Sequence, residues 1–365
     1  MKQPVILAID TSCDETAAAV SRGRKILSNV ISSQINIHKK WGGVVPHLAK
    51  RAHLEKIKPV VNKALLQAGF GTSAIATPTK VGASSEPKNL TGIDAIAVTI
   101  GPGLAPALEV GLAYAKKLAQ EHHKPLIAIN HMEGHLLSSL ALPNSHTHTG
   151  SEPVCDFPTI GLLVSGGHTQ LVLVKKIGDY QLLGETLDDA GGEALDKLAK
   201  MLKLGYPGGP IVEELAKKGL PGTISLPVPI QHSKDFNFSF SGLKTAALYQ
   251  IQAQKKITKT YTSNMCYSFQ QAITISLTTK LTRAINQYRP KSILLGGGVF
   301  SNIYIRSQVR QTVKKFNLPL HLPYSKKLFT DNAAMIAIPA YYKFMQKDFA
   351  KNLDTLDRQP SLNFN

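Results

Sequence analysis

Pro4-Val-Ile-Leu-Ala-Ile-Asp-Thr-Ser-Cys-Asp-Glu-Thr16 begins apolar and turns polar at Asp10. Pro4–Ile9 reads as a buried strand, Asp10–Thr16 as a hairpin tip and Ala17–Ser21 as the returning strand. Hydroxyls and backbone N–H groups at such a tip can be aimed at a phosphate. Arg22-Gly23-Arg24 turns the chain into a third strand, Lys25–Ser32. The same pattern returns further on: Thr159–Val164 as a strand, Ser165-Gly-Gly-His-Thr169 as a polar tip, then strands at Gln170–Lys175 and Tyr180–Gly184. Two halves that each run strand, hairpin, strand, helix, strand, helix indicate a duplication. The expected fold is α/β, with two lobes whose hairpin tips face a nucleotide cleft.

Working outward, 365 residues exceed the size at which one hydrophobic core stops growing. We expect an N-terminal lobe at 1–142, a polar linker at 143–158 with His146 and His148 as solvated loop residues, a C-terminal lobe at 159–346 and a basic, weakly structured tail from 347. Pro46 suits the first turn of a helix that continues to Ala68. Thr72–Leu90 is rich in Ser, Thr, Ala, Gly and Pro and reads as a loop. Further helices are expected at 105–120, 192–204, 209–218, 241–254, 262–288, 302–315 and 331–345. Gly101-Pro-Gly103 before the first of these is either an anion seat or a plain tight turn.

The formal charge is +18 with a pI near 9.7. That excess points to a polyanion, nucleic acid first, although the lysine pairs are spread along the whole chain and form no single stripe. Cys13, Cys155 and Cys266 show no paired spacing and suit a reducing compartment. No apolar stretch is long enough to span a bilayer, so no membrane partner and a cytoplasmic location are expected.

His131-Met-Glu-Gly-His135 places two imidazoles at the i, i+4 spacing that shares a helix face, directly after the strand-like run Pro125–Ile129. Both rings can then hold one metal ion. Two ordinary surface histidines would give the same spacing.

Ten motifs in order resemble the TsaD family, the tRNA adenosine threonylcarbamoyltransferases formerly called glycoproteases: Ile9–Thr16, Gly42–Pro46, Gly101–Leu104, His131–His135, Leu163–Gln170, Asp188-Asp189 with Gly192–Lys197, Tyr206–Pro210, Phe238–Lys244, Gly296–Val299 with Asn302, and Thr330–Asn332. The resemblance implies the fold of actin, Hsp70 and sugar kinases. It implies transfer of a threonylcarbamoyl group from threonylcarbamoyl-adenylate to N6 of the adenosine 3′ of the anticodon in tRNAs reading codons that begin with A, with release of AMP. It makes His131, His135 and Asp331 metal ligands, Asp331 coming from the far lobe, with Fe(II) the expected ion and zinc or magnesium as alternatives. Leu163, Val164, Ser165, Gly166 and Gly167 would wrap the adenylate, while Asp196, Gly209 and Asn302 would contact ribose and base. Asp14 and Glu15 would stand at the reacting centre. Implied helpers are a smaller paralogue, TsaB, and an ATPase, TsaE.

The chain departs from the pattern at His47, where the family usually has Glu, and at Thr72–Leu90, which looks inserted. His47 and His53 lie six residues apart on different sides of their helix and are read as surface residues. A metallopeptidase reading is disfavoured because zincins place Glu directly after the first His, whereas Glu133 stands two places on. A small-molecule kinase or ATPase of the same fold explains neither the histidine pair nor the charge.

Overall fold

Every residue of Val5–Asp10 is buried, so this strand has no solvent face and must be covered on both sides. The computed structural model describes residues 3–70, 87, 90–144, 155–230 and 233–364. The chain divides into two units, Met1–Val154 with Pro323–Phe364, and Cys155–Leu322.

In the first unit, strands β1 (Val5–Asp10), β2 (Glu15–Arg22), β3 (Lys25–Ser33), β4 (Ala95–Gly101) and β5 (Leu126–Asn130) are joined by helices α1 (Ile35–His38), α2 (Pro46–Gln67) and α3 (Ala105–Glu121), and α4 (His131–Leu137) follows β5. The second unit carries β6 (Thr159–Val164), β7 (Thr169–Lys176), β8 (Asp179–Glu185), α5 (Gly191–Met201), α6 (Gly208–Ala216), α7 (Ser241–Gln252), α8 (Lys259–Tyr288), β9 (Ser292–Gly296), α9 (Ile303–Lys314) and β10 (Leu320–His321). Helix α10 (Ala333–Met345) then returns to the first unit.

The two sheets repeat one another. The first runs β3-β2-β1-β4-β5 and the second β8-β7-β6-β9-β10. In each, the leading strand is antiparallel to the next and parallel to the first strand that follows the helices. Each leading hairpin has a four-residue tip, Thr11–Asp14 in one unit and Ser165–His168 in the other. The duplication read from the sequence is therefore present at the level of strand order and direction.

Two boundaries differ from the expectation. Helix α10 does not close the second unit; it packs on β1, β2 and α4 of the first, with Ala333 through Ala340 all buried. Mean hydropathy cannot announce this, because an apolar helix fits either core equally well. The tail from 347 is also neither basic nor loose. Lys347, Lys351 and Arg358 balance Asp348, Asp354 and Asp357. Its Ala350, Leu353, Leu356 and Leu362 pack against the first core, Gln359 N–H donates to the Ile100 carbonyl at 2.7 Å, and Gly103 N–H donates to the Pro360 carbonyl at 3.1 Å. Gly101 permits this docking, since a Cβ there would lie 1.8 Å from the Gln359 carbonyl oxygen.

The linker's His146 and His148 lie outside the described residues, as does Thr72–Leu90 apart from Pro87 and Leu90. Among the described residues no helix is long and apolar enough to cross a membrane.

Candidate metal centre and nucleotide-binding hairpin

Asn130 ends β5 and caps α4, its Oδ1 accepting from Met132 N–H at 2.8 Å and Glu133 N–H at 3.4 Å. The Asn130 Nδ2 donates to the Asn363 carbonyl at 3.0 Å, which orients the amide for capping. The cap starts the helix at His131, so His131 and His135 fall on one face, with ring centroids 4.8 Å apart. Between them, Gly134 lets α10 approach: a Cβ there would stand 2.9 Å from Ile336 Cδ1.

That approach delivers Asp331. Asn332 caps α10 through Met335 N–H at 3.1 Å and donates to the Thr330 carbonyl at 2.7 Å, fixing the backbone on either side of Asp331. Asp331 Oδ1 lies 3.1 Å from His135 Nε2 and 3.6 Å from His131 Nε2. Contrary to the expectation of a far-lobe ligand, all three side chains belong to the first unit. One ligand atom from each lies within 4.8 Å of the others.

Asp10, the last residue of β1 and fully buried, adds a carboxylate oxygen 3.5 Å from His131 Nδ1. Burial alone would lower the His131 pKa, but the carboxylates of Asp10 and Asp331 outweigh it and raise the ring to about 10. Asp331 is likewise pushed up by burial and pulled down further by the two imidazoles, ending well below the usual carboxylate range. His131 Nδ1 and Asp10 Oδ1 face one another at 3.5 Å, while His135 Nδ1 is buried without a hydrogen-bond partner. Buried polar atoms left in that condition are costly. Two imidazoles and a carboxylate on one side of a cluster suit a first-row divalent ion, so the residues present fit the implied metal.

The hairpin tip bearing Asp14 and Glu15 belongs to the same unit. Gln34 N–H donates to the Asp14 carbonyl at 3.0 Å, and Ser33 Oγ donates to Glu15 Oε1 at 3.1 Å. Burial, aided by the charges of Asp14 and Asp331, pushes the Glu15 carboxyl well above its ordinary pKa. The Cys13 thiol is raised for the same reasons, burial first, which makes it a poor nucleophile. His53 corrects the surface reading: it is fully buried beneath this tip.

In the second unit, Leu163 and Val164 are buried at the end of β6, and Ser165 closes the tip with His168, its N–H donating to the His168 carbonyl at 2.8 Å. Gly166 and Gly167 at the apex are exposed, with open space where a Cβ would stand. Gly192 and Gly297 abut this tip. A Cβ on Gly192 would come within 2.5 Å of the Ser165 carbonyl, and one on Gly297 within 2.4 Å of the Val164 carbonyl.

Asp196 and Asn302 take structural parts that the resemblance did not imply. Asp196 Oδ1 accepts from Gly208 N–H at 2.7 Å and from Gly209 N–H at 3.2 Å, capping α6. Asn302 caps α9 through Ile305 N–H at 3.1 Å and donates from Nδ2 to Gln270 Oε1 at 2.6 Å. One N–H and one lone pair of its buried amide are engaged in these two bonds. Lys197 pairs with Asp189 and Glu193.

The family model described as tRNA N6-adenosine threonylcarbamoyltransferase, TsaD, matches residues 25–78 and 83–338. The chain belongs to the TsaD family. A relative of that name from Syntrophomonas wolfei is 43% identical over 363 residues, covering 99% of this chain and 98% of the relative. Another, from Thermosipho melanesiensis, is 44% identical over 359 residues and covers 98% and 99%. Among solved structures, HypF from T. kodakarensis aligns with a TM-score of 0.58 at 14% identity, over 95% of this chain and 48% of HypF. At that identity the likeness concerns the fold alone, and it agrees with the duplicated actin-like architecture.

Membership in the TsaD family makes the chain a transferase acting on tRNA and removes the peptidase and small-molecule kinase readings. Asp10 and Asn130 are the site residues that motif reading left without a role. Their signals were present: a charged residue closing an otherwise apolar strand, and an N-cap residue directly before a histidine helix.

Proposed function

We propose that this chain moves the threonylcarbamoyl group from threonylcarbamoyl-adenylate to N6 of the adenosine 3′ of the anticodon, in tRNAs reading codons that begin with A, and that the His131, His135 and Asp331 cluster holds a divalent ion for the step. The observation that carries the proposal is the convergence of those three ligand atoms within 4.8 Å. Two histidines with one carboxylate favour iron(II), with zinc and magnesium as the competing ions. Such an ion supplies Lewis-acid polarisation of a substrate oxygen.

The remaining chemistry falls to side chains of the chain itself. The adenosine N6 forms a bond to the carbamoyl carbon, the bond from that carbon to the phosphate oxygen breaks, and AMP leaves with the electron pair. The amine proton passes to Glu15 or Asp14. A carboxylate whose pKa has been raised by burial is a stronger base than one in water, which supports Glu15 for this part once it is deprotonated. Gly166 and Gly167, with the end of β6, are proposed to receive the adenylate phosphate through backbone N–H groups. No enzyme nucleophile is needed, because AMP is already a good leaving group.

The family resemblance also supports helper subunits of the TsaB and TsaE types, and tRNA as substrate supports a cytoplasmic location. The test is mass spectrometry of tRNA nucleosides after incubation with unmodified tRNA and a source of the adenylate, with and without helpers, together with metal analysis of the protein. His131→Ala is expected to lose the ion and at least about a hundredfold of the rate, with an unchanged circular dichroism spectrum. Full activity in that variant would overturn the metal assignment.

A further inference from the structure

A buried line of polar side chains under the first hairpin tip has no part in the chemistry above. His53 Nε2 lies 3.0 Å from the Cys13 carbonyl, which can only accept, so Nε2 carries the proton. Its Nδ1 then accepts from Thr16 Oγ1 at 2.8 Å and from Gln34 Nε2 at 3.3 Å. Gln34 Oε1 accepts from His38 Nε2 at 3.1 Å, and His38 Nδ1 accepts from Val45 N–H at 3.3 Å. His38, Gln34 and His53 are all buried. The relay ties the hairpin that carries Asp14 and Glu15 to both ends of the segment 35–45.

What that segment shows to solvent is unusual for a surface turn. Trp41, the single tryptophan of the chain, is 58% exposed, and Ile37 is 40% exposed. Lys39 and Lys40 flank them, exposed as well, and Lys40 Nζ stands 5.4 Å from the centre of the Trp41 ring. No Asp or Glu occurs between Glu15 and Glu55, a stretch that contains seven Lys and Arg residues. A flat aromatic ring with cations beside it and no acid near in sequence complements single-stranded RNA, whose bases stack and whose phosphates are negative.

We propose that Ile37–Trp41 is a stacking platform for an unpaired base of the anticodon loop, held at a set distance from Asp14 and Glu15 by the His53–Gln34–His38 relay. The proposal rests on the reading of tRNA as substrate and deepens it by naming the contact. Because the ring is the only tryptophan, its fluorescence reports the contact directly. Titration of the full chain with an RNA hairpin carrying an anticodon loop is expected to quench that fluorescence, with affinity falling as salt rises. A blunt RNA duplex of equal charge is expected to leave it unchanged. Trp41→Ala is expected to raise the KM for tRNA by about five- to a hundredfold, the range of one base stack, without moving the KM for threonylcarbamoyl-adenylate. Trp41→Phe keeps a ring and is expected to restore most of the loss.

Equal quenching by the duplex, or an unmoved KM for tRNA in Trp41→Ala, overturns the platform. Weakened association of Trp41→Ala with a helper protein at unchanged KM for tRNA also overturns it and makes the patch a protein interface. These outcomes are separable from failure of the reaction assignment, which is a wild-type chain that forms no threonylcarbamoyladenosine at all.

Discussion

Asp10 holds a buried carboxylate oxygen 3.5 Å from the His131 ring, on the side away from Asp331. A carboxylate behind a ligating imidazole fixes the ring's orientation and raises its basicity. Asp10→Asn keeps the volume and removes the charge. It is expected to weaken metal binding by about ten- to a hundredfold while the thermal midpoint moves little, measured by metal titration of the apoprotein beside a melting curve. An unchanged affinity would reduce Asp10 to a core residue. His53 marks the limit of what residue spacing determines. Its spacing from His47 correctly separates the two sides of α2, yet spacing cannot tell which side faces the core, and His53 is the buried one.

At the scale of elements, helix caps account for several of the polar motif residues. Asp188 accepts from Phe240 N–H at 2.6 Å, Ser241 N–H at 3.1 Å, and the Ser239 and Ser241 hydroxyls, seating the start of α7. Partial burial raises its pKa, but these donors outweigh that and leave it below the ordinary value. A carboxylate depressed in the folded state stabilises it above the unfolded pKa, and that contribution disappears as pH falls through the folded pKa. The wild-type thermal midpoint should therefore drop as pH falls below the ordinary carboxylate range. Asp188→Asn should start lower at neutral pH, by about 1 kcal/mol after allowance for solvent screening, and should lack that part of the acid dependence. Parallel pH curves for the two proteins would refute the cap's electrostatic role. The helices themselves were legible from periodicity, whereas Asp196 and Asn302 as caps were not, because a cap is defined by the turn of chain that presents the amides.

For the whole molecule, the unequal division of the chain has a consequence. The second unit is one continuous segment with a complete five-stranded sheet, but the first needs residues 323–364 to cover β1 and supply Asp331. A fragment spanning 155–322 is expected to fold alone with cooperative melting. A fragment spanning 1–154 is expected to bind metal only when 323–364 is added in trans, checked by circular dichroism and metal titration. Metal binding by 1–154 alone would remove Asp331 from the ligand set.

What the sequence determined by itself is whatever depends on neighbours along the chain: the two strand-hairpin-strand triplets, the shared face of His131 and His135, and the ordered motifs that announce the TsaD family. The tertiary structure decided the rest. It placed α10 and Asp331 beside α4, set Asp10 behind His131, laid the tail over Gly101, and buried His53 under the first hairpin tip. Local periodicity reports that a face must be covered. Only packing selects which distant segment covers it, since apolar burial is non-directional and close approach depends on where a residue such as Gly134 leaves room.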